Sequence, residues 1–376
     1  MFTDNPEQAL NTAAAPSRIV KLIDLAARLA TPLFPDDYVE LINPLWARNS
    51  QRARVEAITA ETADSATITL QPGPRWAEHK AGQFARVAVN VNGVRQQRTY
   101  SISSAPERAD GCITITVKAV DEGRVSNHLV HALKPGTVIE LGAADGSFVW
   151  PEAADTRLLL IAAGSGITPI MSQLRSAAAR NAMPDTTLLY YTPTPADTIF
   201  RTELQQLAEA HPALKLHFVH TRIASDSRLR GHFASAHLNA VCPDWTSRST
   251  LACGPAAMLE AVESLWAKMD KSAQLNTERF RARLATVAAN ACGGTLTFAK
   301  TGCTAVSDGK LSMLETAEAA GLNPAHGCRM GICHGCIVTL KSGQVRDLRD
   351  GRVFGEEDDL IQICVCAPAG DVTVAL

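Results

Sequence analysis

The stretch Cys328-Arg-Met-Gly-Ile-Cys333-His-Gly-Cys336 decides how the chain is read. Three cysteines stand at C-x4-C-x2-C spacing, and a fourth candidate follows near the end at Cys364 or Cys366. Four thiolates in this pattern suit a [2Fe–2S] cluster, in which they hold two irons. Gly327, Gly331 and Gly335 lie around the ligands. They are expected to supply the unusual dihedrals that turn several backbone N–H groups toward the cluster sulfurs, where a Cβ has no room. Zinc and disulfides are the competing readings. A zinc ribbon uses two C-x2-C pairs, and only Cys333 and Cys336 supply one.

The segment 292–376 resembles plant-type ferredoxins. Its pattern predicts a hairpin (Thr295–Lys300 with Cys303–Val306), a helix over Ser312–Ala320 and then the cluster loop, in an α+β (β-grasp) arrangement. The resemblance bears on the fourth ligand in two ways. Counted from Cys336, Cys366 gives the family's familiar spacing; counted back from Pro368 and Asp371, Ile-Cys-Val-Cys-Ala-Pro-Ala-Gly-Asp-Val matches at Cys364. The loop around Arg346–Phe354 absorbs length changes more easily than a strand register does, which favours Cys364. A one-electron centre here raises the question of where its electrons come from.

At 376 residues, about three domains are expected. The net charge of −2 carries none of the basic footprint of a nucleic-acid binder. There is no apolar run of membrane-spanning length and no secretory signal at the start. Of the ten cysteines, four are claimed by the cluster, and Cys112, Cys242 and Cys253 show no paired framework. That reads as a reduced, cytoplasmic compartment. Residues 1–46 form an extension in which Ser17 caps an expected helix from Arg18 to Ala30 that Pro32 and Pro35 end. It packs on the next domain or, given Arg18, Lys21 and Arg28 beside the apolar face, docks peripherally at a membrane.

Residues 47–153 change to short alternating runs punctuated by Gly, Pro and Asn: Arg54–Ala60, Ala66–Leu70, Gln83–Val91, Cys112–Val120 and Val138–Leu141. They predict a small antiparallel β-barrel. Within it, Arg98-Thr-Tyr100-Ser101-Ile-Ser-Ser104 offers an aromatic ring and hydroxyls for a planar ring system and an arginine for a phosphate. Gly123-Arg-Val-Ser126 then precedes an expected helix through Leu133, whose first N–H groups suit a pyrophosphate. Both runs, in this order, resemble the R-x-Y-S-x-x-S and G-x-x-S signatures of the ferredoxin–NADP reductase superfamily, where they go with FAD. The resemblance implies that Arg98, Tyr100, Ser101, Lys118, Gly123 and Ser126 contact the flavin. Arg98 would pair with phosphate, Tyr100 lie against the ring, and Ser101 bond near the reactive nitrogen as a catalytic residue.

Residues 154–275 read as a doubly wound α/β domain. Strand Arg157–Ala163 leads into Gly164-Ser-Gly166-Ile-Thr168-Pro169 and a helix through Ala179, the context in which two glycines bring backbone N–H groups to a dinucleotide. Strand Thr187–Thr192, helix Ile199–Ala210, strand Lys215–His220, strand Thr250–Cys253 and helix Ala256–Met269 follow. Gly164, Gly166, Thr168, Pro169 and then Cys253-Gly254-Pro255 resemble the superfamily's G-x-G-x-T-P and C-G-P signatures. The resemblance implies that Cys253 sits beside the nicotinamide, where hydride passes to flavin. The second strand ends without an acid until Asp197, while Arg222, Arg228 and Arg230 follow the third. A missing ribose acid and available arginines favour NADPH over NADH. Residues 276–291 read as a linker containing Glu278-Arg279-Phe280, a tripeptide that similar reductases carry before the cluster domain.

The parts form one electron path. A nicotinamide delivers two electrons as hydride, a flavin takes the pair and releases them singly, and a [2Fe–2S] centre carries one at a time. The chain resembles single-component reductases ordered FAD, NAD, ferredoxin. Pro35-Asp-Asp-Tyr38 and Asn43-Pro-Leu-Trp46 look like the subgroup proposed to serve membrane fatty-acyl desaturases. An external acceptor is implied, since there is no set of His-rich motifs and no haem signature. The alternatives are a reductase of a soluble aromatic-ring or steroid hydroxylase, and an iron–sulfur redox sensor, for which a complete nicotinamide domain has no use.

Overall fold

The computed structural model describes residues 35–47, 50–121, 123–151, 157–223, 229–280, 293–327, 329–331 and 334–376. The expected helix Arg18–Ala30 and residues Arg228, Cys328 and Cys333 lie outside them. No described helix is long and apolar enough to cross a membrane.

Helix α1 (Pro35–Ile42) opens the described chain. Pro35 stands at its first position; proline is tolerated in the first turn because its missing N–H has no partner to lose there. Asn43 caps the following 3-10 turn by accepting from Leu45 N at 3.0 Å. An ion pair from Glu40 to Arg52 (2.8 Å) ties the segment to the first barrel strand.

That barrel is built from β1 (Arg52–Thr62), β2 (Ser65–Pro72), β3 (Phe84–Val91), β4 (Val94–Ser101), β5 (Ile113–Lys118) and β6 (Val138–Asp145). All pairings are antiparallel, in the order β4-β3-β6-β1-β2-β5, and a bridge from Ile102 to Ile115 joins the outer strands. Asn92 and Gly93, both at positive φ (52° and 78°), make the tight β3–β4 turn that a right-twisted hairpin prefers. Alternate residues such as Val55, Ile68, Leu70, Val87 and Ile115 fill the core. Helix α2 (Arg124–Asn127) runs on into a π-helical turn (His128–Ala132), and its Val125 and Leu129 plug the barrel.

The next unit alternates β7 (Leu158–Ala163), α3 (Ile167–Ala179), β8 (Thr186–Thr192), α4 (Arg201–Ala210), β9 (Leu214–His220), α5 (Ser235–Val241), β10 (Ser249–Cys253), α6 (Ala256–Lys268) and β11 (Leu275–Glu278). The sheet is parallel throughout, in the order β11-β10-β7-β8-β9. Leu158 to Ala162 are fully buried, as a strand covered on both faces requires. From the sequence, Leu275–Glu278 falls at the start of the linker. It is instead the edge strand beside β10, in a register that sets Glu278 opposite Cys253. Four residues are too few to show a strand period in the sequence. Helix α3 also fastens the sheet to the barrel: Ser172 Oγ donates to Ser104 O (2.6 Å), Gln173 to Phe148 O (2.7 Å) and Arg175 to Ser103 O (2.6 Å).

The third unit comprises β12 (Gly294–Phe298), β13 (Cys303–Ser307), α7 (Met313–Ala319), β14 (Ile337–Ser342), β15 (Val345–Asp347), β16 (Val353–Phe354), β17 (Leu360–Gln362), β18 (Cys366–Pro368) and β19 (Val372–Val374). Its main sheet runs β13-β12-β19-β14-β17, with β12 and β19 parallel, and a second sheet runs β16-β15-β18. Ser312 and Glu315 form a reciprocal capping box at the start of α7. Leu314 and Ala317 press that helix into a core with Leu296, Phe298 and Val374.

Candidate functional site

Where the three units meet, a cleft of about 1180 Å³ opens. It is at or above the roughly 300–1,000 Å³ of ordinary small-molecule sites, as a dinucleotide and a second nucleotide require. Of the residues expected at the flavin, Arg98, Tyr100, Ser101, Lys118, Gly123 and Ser126 all line it; of those expected at the nicotinamide, Gly164, Gly166, Thr168, Gly254 and Pro255 do. Pro169, Cys253 and Arg222 do not. Pro169 is buried inside the first turn of α3, and Cys253 is wholly enclosed in the core. Arg222 is exposed beyond the end of β9.

Strand β4 ends at Ser101, and β11 ends at Glu278. Thr99 Oγ1, Ser101 Oγ and Glu278 Oε2 are all enclosed and none has a hydrogen-bond partner. Enclosed polar atoms are normally bonded, so orphans in a cleft wall fit a ligand's polar edge. Burial pushes the Glu278 carboxyl up to about 8, with the nearby Ser101 hydroxyl opposing the shift. Behind them, burial raises the Cys253 thiol well above its ordinary range, and the Glu278 carboxylate adds to this. Tyr100 is raised by burial too, against the pull of Arg98.

The glycines of the cleft are there for close approach. A Cβ on Gly123 would stand 2.4 Å from Ser126 Oγ and 2.5 Å from Val120 Cγ2. One on Gly166 would stand 2.2 Å from the Cys253 carbonyl oxygen, so this glycine lets the start of α3 rest on the end of β10. Gly164 has φ +54° with open space around it, and its carbonyl accepts from Tyr190 (3.0 Å). Thr168 Oγ1 donates to Ser165 O (2.9 Å), which fixes the turn. Lys118 is ion-paired with Asp64 at the barrel end. After β8, Asp197 accepts from Thr194 N (2.9 Å) and Thr194 Oγ1 (2.6 Å) in a capping box. Arg222 N donates to Pro193 O (3.0 Å), which sets Arg222 beside the carboxyl end of β8.

Among its described residues, the cluster loop carries left-handed backbone at three positions. Gly331 has φ +72°, as expected, but Gly327 and Gly335 do not take positive values; Arg329 (58°) and His334 (56°) do. Two side-chain-bearing residues in the left-handed region within six positions mark a loop held against its own preference. Cys336 and Cys364 are buried, and Ile363 N donates to Cys336 O (3.3 Å). Cys364 lies in the turn between β17 and β18, whereas Cys366 is within β18, paired with Asp347. Cys336 and Cys364 are the two expected ligands that lie among the described residues.

Sequence reasoning missed several residues of the cleft: Asn276, Thr277, Glu278 and Phe280 from the supposed linker, and Met330 and Arg349 from the cluster domain. The signal for Glu278 was present, since ligands bind outside the carboxyl ends of a doubly wound sheet. Nothing local marks Arg349, because its position is a matter of domain docking.

Family models match in the same order as the units: an oxidoreductase FAD-binding domain over 53–150, an oxidoreductase NAD-binding domain over 160–264 and a 2Fe-2S iron-sulfur cluster binding domain over 297–369. The chain is 40% identical to a NADPH oxidoreductase of Mycobacterium tuberculosis over 350 residues, 92% of this chain and 90% of that one. It is 30% identical to the NADH oxidoreductase HCR of Escherichia coli over 331 residues, 86% of this chain and 97% of that one. Among solved structures, phthalate dioxygenase reductase superposes with a TM-score of 0.58 at 24% identity, covering 86% of this chain and 97% of that one. The chain belongs to the ferredoxin–NADP reductase superfamily, as a flavin- and nicotinamide-dependent electron-transfer oxidoreductase with a C-terminal [2Fe–2S] domain.

Proposed function

We propose that the chain takes hydride from NADPH onto FAD at the Ser101–Glu278 end of the cleft. Single electrons then leave through a cluster on Cys328, Cys333, Cys336 and Cys364 for an external acceptor, a membrane fatty-acyl desaturase. The observation that carries this reading is one cavity shared by Tyr100 and Ser101 of the barrel, Gly254 of the nicotinamide unit and Met330 of the cluster loop. When bound, the flavin supplies two-electron acceptance and the cluster one-electron release. The chain's own residues orient these groups. Ser101 Oγ and Glu278 Oε2 offer the polar edge at the reacting end, with Glu278 able to hold a proton near neutral pH. Tyr100 would lie along the ring, Arg98 and Lys118 would carry charge for phosphate, and the N–H groups from Gly123 to Ser126 would hold the pyrophosphate. Cys253 would act from behind the wall, opposite Glu278 in the β10–β11 register. As fourth ligand, Cys364 is favoured by its place in the turn just after Ile363, whose N donates to Cys336 O, while Cys366 is within strand β18.

For the nucleotide, Asp197 is already engaged in its cap and is not offered to a ribose hydroxyl, whereas Arg222 stands exposed at the adjoining strand end. That combination favours a 2′-phosphate. For the acceptor, Leu41 (75% exposed) and Ile42 (77%) on α1, with Trp46 nearby, present an apolar face next to a segment that reads as amphipathic. This supports a membrane-associated partner at the cytoplasmic side. The test supplies NADPH and the FAD- and iron-loaded protein either to membranes carrying an acyl desaturase or to a soluble ring-hydroxylating oxygenase. Desaturated acyl product formed in the first arm is the expected result. Turnover only in the second would overturn the acceptor and leave the reductase intact.

A further inference from the structure

A buried imidazole of the cluster unit touches the barrel. His326, two positions before the first cluster cysteine, has a side chain only 4% exposed. Its Nδ1 faces Pro324 O at 2.9 Å, and its Nε2 faces Arg98 Nη1 at 2.9 Å and Arg329 Nη2 at 3.1 Å. A guanidinium only donates. The single Nε2 lone pair is therefore the acceptor the two arginines share, and the proton sits on Nδ1, donated to Pro324 O. Arg329 is in turn paired with Glu318 of α7, and Arg98 Nη1 also donates to Gln97 O (2.8 Å). Two like charges from different units are thus brought together across a neutral ring, with Glu318 balancing one of them.

From this geometry we infer that His326 is the positioning residue that docks the cluster unit on the flavin barrel. Arg98 serves both the flavin phosphate and this contact. The inference rests on the proposed path from flavin to cluster and adds the residue that sets their separation. Arg98 has five N–H donors; the contacts to Gln97 and His326 use Nη1, leaving Nη2 and Nε for a phosphate. Docking also brings Met330 and Arg349 into the flavin cleft. Loss of the imidazole leaves Arg98 and Arg329 facing each other without the acceptor they share, so the docked arrangement becomes less populated while the nicotinamide–flavin end of the cleft, formed by other units, keeps its geometry.

The test uses the full-length, FAD- and iron-loaded protein. In His326→Ala, reduction of the cluster by NADPH should slow by about tenfold or more, as expected for loss of hydrogen bonds to charged groups. Flavin reduction should stay near the parental rate. Small-angle scattering should show a larger radius of gyration. His326→Gln, whose amide oxygen accepts from a guanidinium, should restore most of both. If His326→Ala loses iron, Glu318→Gln decides instead, since it frees Arg329 without approaching the cluster ligands; it should slow cluster reduction in the same direction. Parental cluster reduction and parental dimensions in the folded variants would overturn the inference and leave the electron path standing. Equal slowing of flavin and cluster reduction would also overturn it. A parental protein whose cluster NADPH does not reduce would instead remove the path itself.

Discussion

At the scale of single residues, Glu278 is the most informative group in the cleft. Its Oε2 is enclosed and unpartnered, and burial holds the carboxyl at about 8, far above the ordinary 4.5. The linkage sign follows from that direction. A carboxyl raised in the folded state favours folding while protonated, so its contribution is present below about 4.5 and is lost as pH rises through about 8. Glu278→Gln should therefore lose less thermal stability than the parent between about pH 5 and pH 9. Melting curves of the FAD-loaded proteins across that range measure this, and parallel pH profiles would show that the carboxyl is not strained by burial. Ser101 was legible in the sequence because a hydroxyl following an aromatic at a strand end is a local pattern. The environment of Glu278 was not, because Cys253 and Ser101 reach it from two other strands.

At the scale of elements, the barrel and the parallel sheet could be read almost strand by strand. Alternation, Asn92-Gly93 and the Gly164–Gly166 turn are all short-range signals. What escaped were elements whose identity is set by neighbours. Strand β11 exists because β10 offers an open edge. In the cluster loop, Gly331 takes the left-handed conformation, but Arg329 and His334 share that duty in place of Gly327 and Gly335. The proposed preference for NADPH rests on the adjoining ends of β8 and β9. Replacing Arg222 by Ala should raise KM for NADPH about tenfold, the order expected for one guanidinium–phosphate contact, and leave NADH use nearly unchanged. Steady-state kinetics with both nucleotides measures this; equal effects on the two would remove Arg222 from the 2′-phosphate.

At the scale of the molecule, three units with separate cores share one cleft. The order of the units was legible from motifs, because each motif is local to its own unit. Their docking was not, because contacts such as Arg98 with His326 join residues far apart in the chain. The shared cleft makes the division of labour testable: hydride is handled by the first two units, and single electrons leave by the third. Cys333→Ser, which removes one cluster thiolate, separates the two halves. NADPH should still bleach the flavin and ferricyanide should still be reduced, because both draw on the barrel and the parallel sheet. Cytochrome c reduction, and delivery to the natural acceptor, should collapse. A variant that folds, binds FAD and still drives that acceptor at the parental rate would show that the cluster is not the outlet, and would contradict the account at its centre.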